Sequence, residues 1–286
     1  MRRPCTVVAG VGTVLVLAGA AGPTAQLPQR LAGRTGLSVT PVFEGWYLNP
    51  DGTASLSFGY YNRNSEEVIE VPVGADNFIT PGPENQGQPM HFQPGRHWGV
   101  FAVKVPAGSS EVTWTLRNRD ETFAIPGHRR RNWVIDALEG EAGSGNTPPQ
   151  VKLDASGPEG AGPLGIAAGP KTAQVNAPVE LMVWARDDGR SSGSVASGGR
   201  GAVPVAITWF KHQGPGVVTF TPPTARIPAA GGSATTSATF SAAGEYIVRV
   251  RANDASGVSG AGHAQCCWTN GFLKMNVSGS VPAGRN

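Results

Sequence analysis

The residues with the most distinctive chemistry are two adjacent cysteines, Cys266 and Cys267, and the only other cysteine is Cys5. Under oxidising conditions such thiols are not expected to stay free. However, Cα atoms joined by a trans peptide lie ~3.8 Å apart, below the ~4.4–6.8 Å usual for a disulfide. The interpretation we carry forward is a vicinal disulfide that forms a rigid turn. A bridge between chains, a pair of buried thiols and metal ligation stay open as alternatives.

Aromatic residues crowd around a predicted hairpin in the first quarter of the chain. Trp46 and Tyr47 belong to one strand pattern, and Tyr60 and Tyr61 to the next. Successive strand residues face opposite sides of a sheet, so the two neighbours in each pair do not both enter the core unless a bulge intervenes. At least two of the four rings are therefore expected on the outer face. There they would stack on sugar faces or pack against the second half of the chain.

Sequence signatures of catalysis are missing. The chain has no Gly-x-Ser-x-Gly nucleophile elbow and no phosphate-binding loop before a helix. Four glutamates between Glu44 and Glu70 include pairs that would suit glycoside hydrolysis, but their spacing is unspecific. We therefore lean towards a protein that is not an enzyme, with a secreted hydrolase as an alternative.

The composition favours strands over helices. The chain has 286 residues, among them 40 Gly and 24 Pro, and only 15% of its residues are charged. The low charge argues against a coiled coil or a long-helix protein, while 40% hydrophobic residues are enough to fill packed cores. At roughly 150 residues per domain, the length predicts about two domains. Short strands joined by turns are the expected result.

Residues 1–25 are predicted to be a secretory signal peptide. Arg2 and Arg3 precede an uncharged run over residues 7–21, and small residues follow. The run is shorter than the ~20 residues of a spanning helix, and no later segment is apolar enough to span a bilayer. Removing the peptide leaves 21 basic and 20 acidic residues, so no global field recruits nucleic acid. We expect an exported protein that is periplasmic, extracellular or on the cell surface.

A Gly-, Ser- and Pro-rich stretch at 140–149 is the predicted linker between two domains, at 37–139 and 148–278. The first domain shows about six strand patterns without a helical period. Two of them flank the turn at residues 49–52, and further strands are predicted at 98–105, 112–116 and 133–138, with a long loop at 80–97. The predicted fold class is all-β, with two tandem antiparallel β-sandwich domains after the signal peptide.

The second domain resembles PKD-like, cadherin-like and other immunoglobulin-like modules. The sequence Gly-Glu-Tyr-Ile-Val-Arg-Val-Arg-Ala-Asn-Asp at 244–254 looks like their penultimate strand, and the entry at 146–149 and Trp209 fit the same pattern. The resemblance covers about residues 146–278 and implies an immunoglobulin-like sandwich. It also implies that Tyr246 is the corner tyrosine, with its hydroxyl bonded to the backbone just upstream. Such sandwiches host many unrelated roles, so the resemblance does not assign one.

The immunoglobulin-like topology also suggests a cation site. The loops after its second and sixth strands lie at one end, which brings Asp187, Asp188 and Asp254 towards one rim. Three carboxylates suit Ca²⁺, and the resemblance to calcium-binding cadherin-like modules points the same way, although their full ligand pattern is missing. Capping of local backbone explains aspartates at strand ends equally well. Calcium is therefore the one candidate cofactor.

We predict an exported, non-catalytic binding or adhesion protein that interacts with a protein or a glycan at the cell surface. One alternative is a carbohydrate-binding protein that uses the hairpin aromatics Trp46, Tyr47, Tyr60 and Tyr61. The other is the secreted hydrolase.

Overall fold

The chain folds almost entirely into strands in the computed structural model, which describes residues 33–106, 108, 111–190, 203–260 and 262–279. Within these residues there is no α-helix, and the helical turns are short 3-10 helices, among them Arg131–Trp133, Ala137–Glu139 and Gly262–Ala264. The all-β prediction is confirmed. The predicted signal peptide lies outside the described residues, and no helix within them is long and apolar enough to cross a membrane.

In its described residues, the first half contains eight strands. They are β1 Val39–Leu48, β2 Ala54–Asn62, β3 Ile69–Glu70, β4 Asn77–Thr80, β5 His91–Phe92, β6 Gly95–Val105, β7 Glu111–Asn118 and β8 Glu121–His128. They form antiparallel sheets in the orders β1-β2-β6, β4-β7-β8 and β3-β5. The predicted aromatic hairpin is confirmed, because β1 pairs with β2 from Val39↔Asn62 to Leu48↔Ala54.

An aromatic core joins the two three-stranded sheets of this half. The rings of Phe58 and Phe101 stack with centroids 5.5 Å apart, and Trp114 meets Phe101 edge-on at 5.1 Å. Nε1 of Trp114 donates to Oδ1 of the buried Asn77 at 2.9 Å, so the polar end of the indole is satisfied. These rings remove a large apolar area from water, which is the main force that holds the sheets together.

Two strand predictions for the first half are wrong. Residues 133–138 form no strand, since Val134 makes only an isolated bridge to Trp46, and the alternation there reflects burial of Ile135 and Ala137. Residues 80–97 are not one long loop, because they contain β5 and the start of β6. In addition, β8 was not predicted, because it is an edge strand with Pro126 in its middle, a residue typical of edges.

Outside residues 191–202 and 261, which the structure does not describe, the second half contains nine strands. They are β9 Gln150–Lys152, β10 Ile166–Gln174, β11 Val179–Arg186, β12 Val205–Gln213, β13 Val218–Thr221, β14 Thr224–Ile227, β15 Gly232–Phe240, β16 Gly244–Asn253 and β17 Trp268–Ser278. Their sheets have the orders β10-β17-β16-β12-β14 and β13-β15-β11-β9 around one hydrophobic core. The four-stranded sheet matches the immunoglobulin order, and the other sheet carries the matching central strands. All pairings are antiparallel except that of β10 with β17.

Tyr246 occupies the position that the resemblance implies. Its hydroxyl donates to the carbonyl oxygen of Ala242 at 2.8 Å, and its ring, 2% exposed, packs against Phe240. Trp209 lies buried on β12 in the same core. The immunoglobulin-like arrangement of this half therefore rests on strand order and on side-chain contacts.

Candidate functional site

Two of the four hairpin aromatics are buried, Tyr47 is partly buried and one is exposed. Trp46 is 9% exposed, and its Nε1 donates to the carbonyl of Arg130 at 2.8 Å. Tyr60 is 3% exposed, and its hydroxyl oxygen accepts the backbone N–H of Gln93 at 3.0 Å. Tyr61, in contrast, lies on the outside with 38% of its surface exposed. The hairpin therefore offers one open ring rather than an aromatic platform.

The alternation along the strands is intact at both aromatic pairs, because the register shifts between Phe43 and Gly45 and between Phe58 and Tyr60 lie before them. Tyr47 and Tyr61 therefore face the sides of their strands opposite to Trp46 and Tyr60. The hydroxyl of Tyr47 accepts the backbone N–H of Leu164 at 2.8 Å, so this ring contacts the second half of the chain. That contact matches the alternative in which the aromatics pack against the second half.

A buried amide lies at the centre of the junction between the halves. Asn270, on β17, is fully buried, and its Nδ2 donates to the carbonyls of Gly99 at 2.7 Å and Pro163 at 2.9 Å. The indole of Trp268 lies so close that a Cβ on Gly99 would be 2.4 Å from its Cζ2. The described residues belong to one compact unit. Leaving a buried polar group without a partner costs free energy, so these hydrogen bonds hold the two halves in one arrangement.

A second contact ties the 85–90 segment of the first half to β12. The backbone N–H of Met90 donates to the carbonyl of His212 at 2.8 Å, and Nε2 of His212 lies 2.7 Å from the carbonyl oxygen of Gly87. Next to it, Nε2 of Gln213 donates to the carbonyl of Gln88 at 2.6 Å. The stretch that the sequence assigned to a loop is therefore a docking segment.

The junction also buries a cation without a carboxylate partner among the described residues. Arg249 is 3% exposed, and its guanidinium lies 4.4 Å from the ring centroid of Phe210. Burial and, to a smaller extent, the nearby charge of Arg251 lower its pKa to about 9. The face of the Phe210 ring and long hydrogen bonds to the oxygens of Val100 and Asn270 stabilise the guanidinium where a carboxylate would otherwise do so.

The predicted cysteine pair is joined by a disulfide in the structure. Cys266 and Cys267 are 6% and 1% exposed, and Cys267 has a positive φ of 82°. Nδ2 of Asn146 lies 3.2 Å from Sγ of Cys267. Both sulfurs and a carboxylate oxygen of Glu141 lie within 4.8 Å of one another, the one such group of His, Cys, Asp and Glu in the described residues. Because disulfide sulfurs are not thiolates, this group is a poor metal site.

Of the three predicted acidic residues, Asp254 bonds to the linker residue Asn146, and Asp187 lies near enough to Asp254 for its charge to act on it. Nδ2 of Asn146 donates to Oδ2 of Asp254 at 2.7 Å, and both residues are buried. Burial raises the pKa of Asp254 to about 6 against the hydrogen bonds from Asn146 and Ser256, and the charge of Asp187 adds to the rise. Burial also raises the pKa of Asp187. Oδ1 of Asn146 and Oδ1 of Asp187 are buried without a hydrogen-bond partner in the described structure.

The third predicted acid has a different task. Oδ2 of Asp188 accepts the backbone N–H and the hydroxyl of Thr147, at 3.1 and 3.0 Å, and its Oδ1 accepts the N–H of Arg190. Asp188 therefore caps the linker, as the turn interpretation of these aspartates expects. Asn146 was missed because it lies inside the predicted linker, where a lone asparagine is ordinarily a turn residue.

Comparisons with known proteins leave the family of the chain open. No family model and no curated protein matches it. Among solved structures, it is similar to the D0-D1 domain of intimin, with a TM-score of 0.24 and 11% identity over 84% of this chain and 97% of that chain. The Yersinia pseudotuberculosis adhesin InvE gives 0.25 and 12% over 84% and 58%. Domains 4 and 5 of the S-layer protein SbsC give 0.22 and 11% over 84% and 98%.

Proposed function

We propose that the protein is an exported, non-catalytic cell-surface interaction protein in which the two halves act as one binding unit. The observation that supports this best is the buried network around Asn270, which bonds the backbone of both halves. Tandem domains joined only by a linker move relative to each other by default. A junction with satisfied buried amides instead presents the surfaces of both halves in a fixed arrangement, which lowers the ordering cost of binding.

The test is retention of the purified protein, from residue 26 onwards, on isolated bacterial cell envelopes. We expect saturable binding that weakens when Asn270→Ala loosens the junction. Asn276→Ala is the matched control, because Asn276 lies exposed on the same strand. Absence of saturable retention, or cleavage of envelope polysaccharide by the purified protein, would overturn the proposal. A tagged full-length chain should lose its first 25 residues and leave the cytoplasm, and a chain that stays there uncleaved contradicts export.

We also propose that the rim beside the disulfide holds a calcium ion. The two partnerless oxygens, on Asn146 and Asp187, support this, because buried oxygens without a donor are rare and Ca²⁺ accepts both carboxylate and amide oxygens. Asp254 would supply the second carboxylate. A cation there would also stabilise the ionised forms of two carboxylates that burial disfavours.

Addition of 10 mM Ca²⁺ is expected to raise the melting temperature by about 3 to 8 °C, since ligand bound only to the folded state stabilises it. Asp187→Asn should remove most of this rise. Asp154→Asn, at an exposed acid whose Oδ1 caps Ser156, should keep it. A calorimetric scan that shows equal shifts in both variants, or none in the wild type, rules out a calcium ion at this rim.

A further inference from the structure

A cleft of about 320 Å³ opens at the junction of the two halves. One wall is the β3–β5 ribbon of the first half, with Glu70, His91 and Gln93. The other wall is formed by β12 and β13 of the second half. The cleft does not overlap the acidic rim or the hairpin aromatics, and no role assigned above uses it.

The wall from the second half is apolar. Phe220 is partly exposed and stacks on the buried Trp209, with centroids 6.4 Å apart and an interplanar angle of 24°. Val217, at the mouth, is 65% exposed, the largest exposed fraction among the exposed large hydrophobic residues of the described chain. A ring supported from behind by another ring is a rigid surface for a flat apolar face.

The wall from the first half carries groups that form hydrogen bonds, and Lys211 of the opposite wall balances the charge of Glu70. Oε1 of Glu70 accepts Nζ of Lys211 at 2.9 Å and lies 2.6 Å from Nδ1 of His91. Partial burial raises the pKa of Glu70, but these hydrogen bonds outweigh it, so its pKa lies below the usual value. Oε2 of Glu70, Nε2 of His91 and the side-chain amide of Gln93 form no hydrogen bond with the described residues. The open groups therefore include both acceptors and donors.

We propose that this junction cleft binds a neutral sugar ring of a cell-surface glycan. This inference rests on the proposed surface-interaction function and names the chemical class of its ligand. A pyranose has an apolar C–H face that fits Phe220 and an edge of hydroxyls that both donate and accept. Glu70 and Lys211 neutralise each other, so the cleft has no excess charge for an acidic ligand. Its volume is at the low end of ligand pockets, which suits one or two sugar rings better than an extended peptide.

The experiment is an array of neutral and acidic oligosaccharides probed with the wild-type protein and three variants. Phe220→Ala removes the stacking face and is expected to weaken binding of neutral glycans about tenfold or more. Val217→Asp, at an exposed site where folding is unaffected, places a charge in the mouth and should weaken binding to a similar extent. Tyr61→Ala is the matched control, since Tyr61 is an exposed aromatic on the hairpin, and should bind as the wild type does.

Several outcomes would overturn the inference. These are loss of binding in Tyr61→Ala with Phe220→Ala unaffected, binding of acidic glycans alone, binding of an arrayed peptide library with no glycan, and no binding at all. The result is separable from that for the proposed function. Envelope retention that is saturable in the wild type and unchanged in Phe220→Ala leaves the surface-interaction role standing while it rejects the cleft.

Discussion

Replacing Gly165 with alanine is expected to lower the free energy of unfolding by about 3 to 5 kcal/mol. Gly165 has a φ of +59°, and a Cβ there would lie 1.7 Å from the carbonyl oxygen of Asn270, which is backbone and has no rotamer to escape into. The left-handed conformation costs an alanine about 1 to 2 kcal/mol, and the overlap adds the cost of moving two chain segments apart. Just before Gly165, the carbonyl of Pro163 accepts Asn270 Nδ2 and the N–H of Leu164 donates to the hydroxyl oxygen of Tyr47, so the damage spreads to the junction.

Gly257→Ala separates the two contributions to this effect. Gly257 also has a positive φ, of 82°, but a Cβ there would meet nothing within 4 Å. It should therefore cost only the conformational part, about 1 to 2 kcal/mol. Chemical denaturation of both variants measures the difference. Equal losses in the two proteins would mean that the approach of residue 165 to Asn270 is not tight in solution.

The second large effect is a dependence of stability on pH that originates at His212. Its ring is 2% exposed and packs against Phe272. Burial lowers its pKa to about 3, and the charges of Arg249 and His91 act in the same direction against the bond to Gly87. Burial, with Arg249, likewise lowers the pKa of His97, to about 4. An unfolded histidine titrates near 6.5, so the unfolded chain takes up protons first as the pH falls.

The sign of this effect follows from the proton count. Stability from His212 and His97 is complete above pH ~6.5 and is lost as the pH falls towards their folded pKa values, about 3 and about 4. Glu44 and Asp254 act oppositely, because burial raises the pKa of Glu44 to about 7 and that of Asp254 to about 6. Their protonation on acidification favours the folded state. A scan of the wild type alone therefore shows only the sum of opposing slopes.

His212→Gln isolates the histidine contribution, because a glutamine amide still donates to the carbonyl of Gly87 but does not take up a proton. Between pH 6.5 and 4.5, the wild type should lose about 2 to 3 kcal/mol more than this variant. His263→Gln is the control, since His263 is 59% exposed and lies next to Asp136 on the surface. Urea unfolding at the two pH values measures these losses. Parallel acid losses in the wild type and His212→Gln would contradict a buried neutral imidazole.

Local patterns predicted the parts of the fold that depend on local chemistry. The hairpin was found because a turn with Pro50 and Gly52 separates two alternating aromatic runs, and Tyr246 was placed because its strand has a characteristic sequence. The segment 133–138 was misread because Ile135 and Ala137 alternate like strand residues while being buried by tertiary packing, Ile135 beside Gly45 and Ala137 against Cys266 and Cys267. Periodicity reports burial, and burial does not require a sheet partner.

The junction was beyond the reach of such patterns. Asn270 and His212 lie on strands whose alternation marks them as outward-facing, and only the docking of the first half buries them. In the same way, Tyr47 lies on the face of β1 opposite to Trp46, where the second half covers it at Leu164. The cleft beside Glu70 combines residues about 140 positions apart along the chain, as its bond to Lys211 shows. Sites of this kind depend on which distant residues the fold brings together, and local sequence patterns do not show this.

The parallel pairing of β10 with β17 has a mechanical consequence. β10 begins beside Gly271, near the junction, and the pair runs to Gln174↔Ser278 at the far end of the sandwich. A tensile load applied between the start of β10 and Ser278 therefore pulls the two strands past each other. The hydrogen bonds on both sides of the register shift at Ala168–Lys171 are then loaded together rather than one after another. The second half is thus oriented to withstand traction along its length.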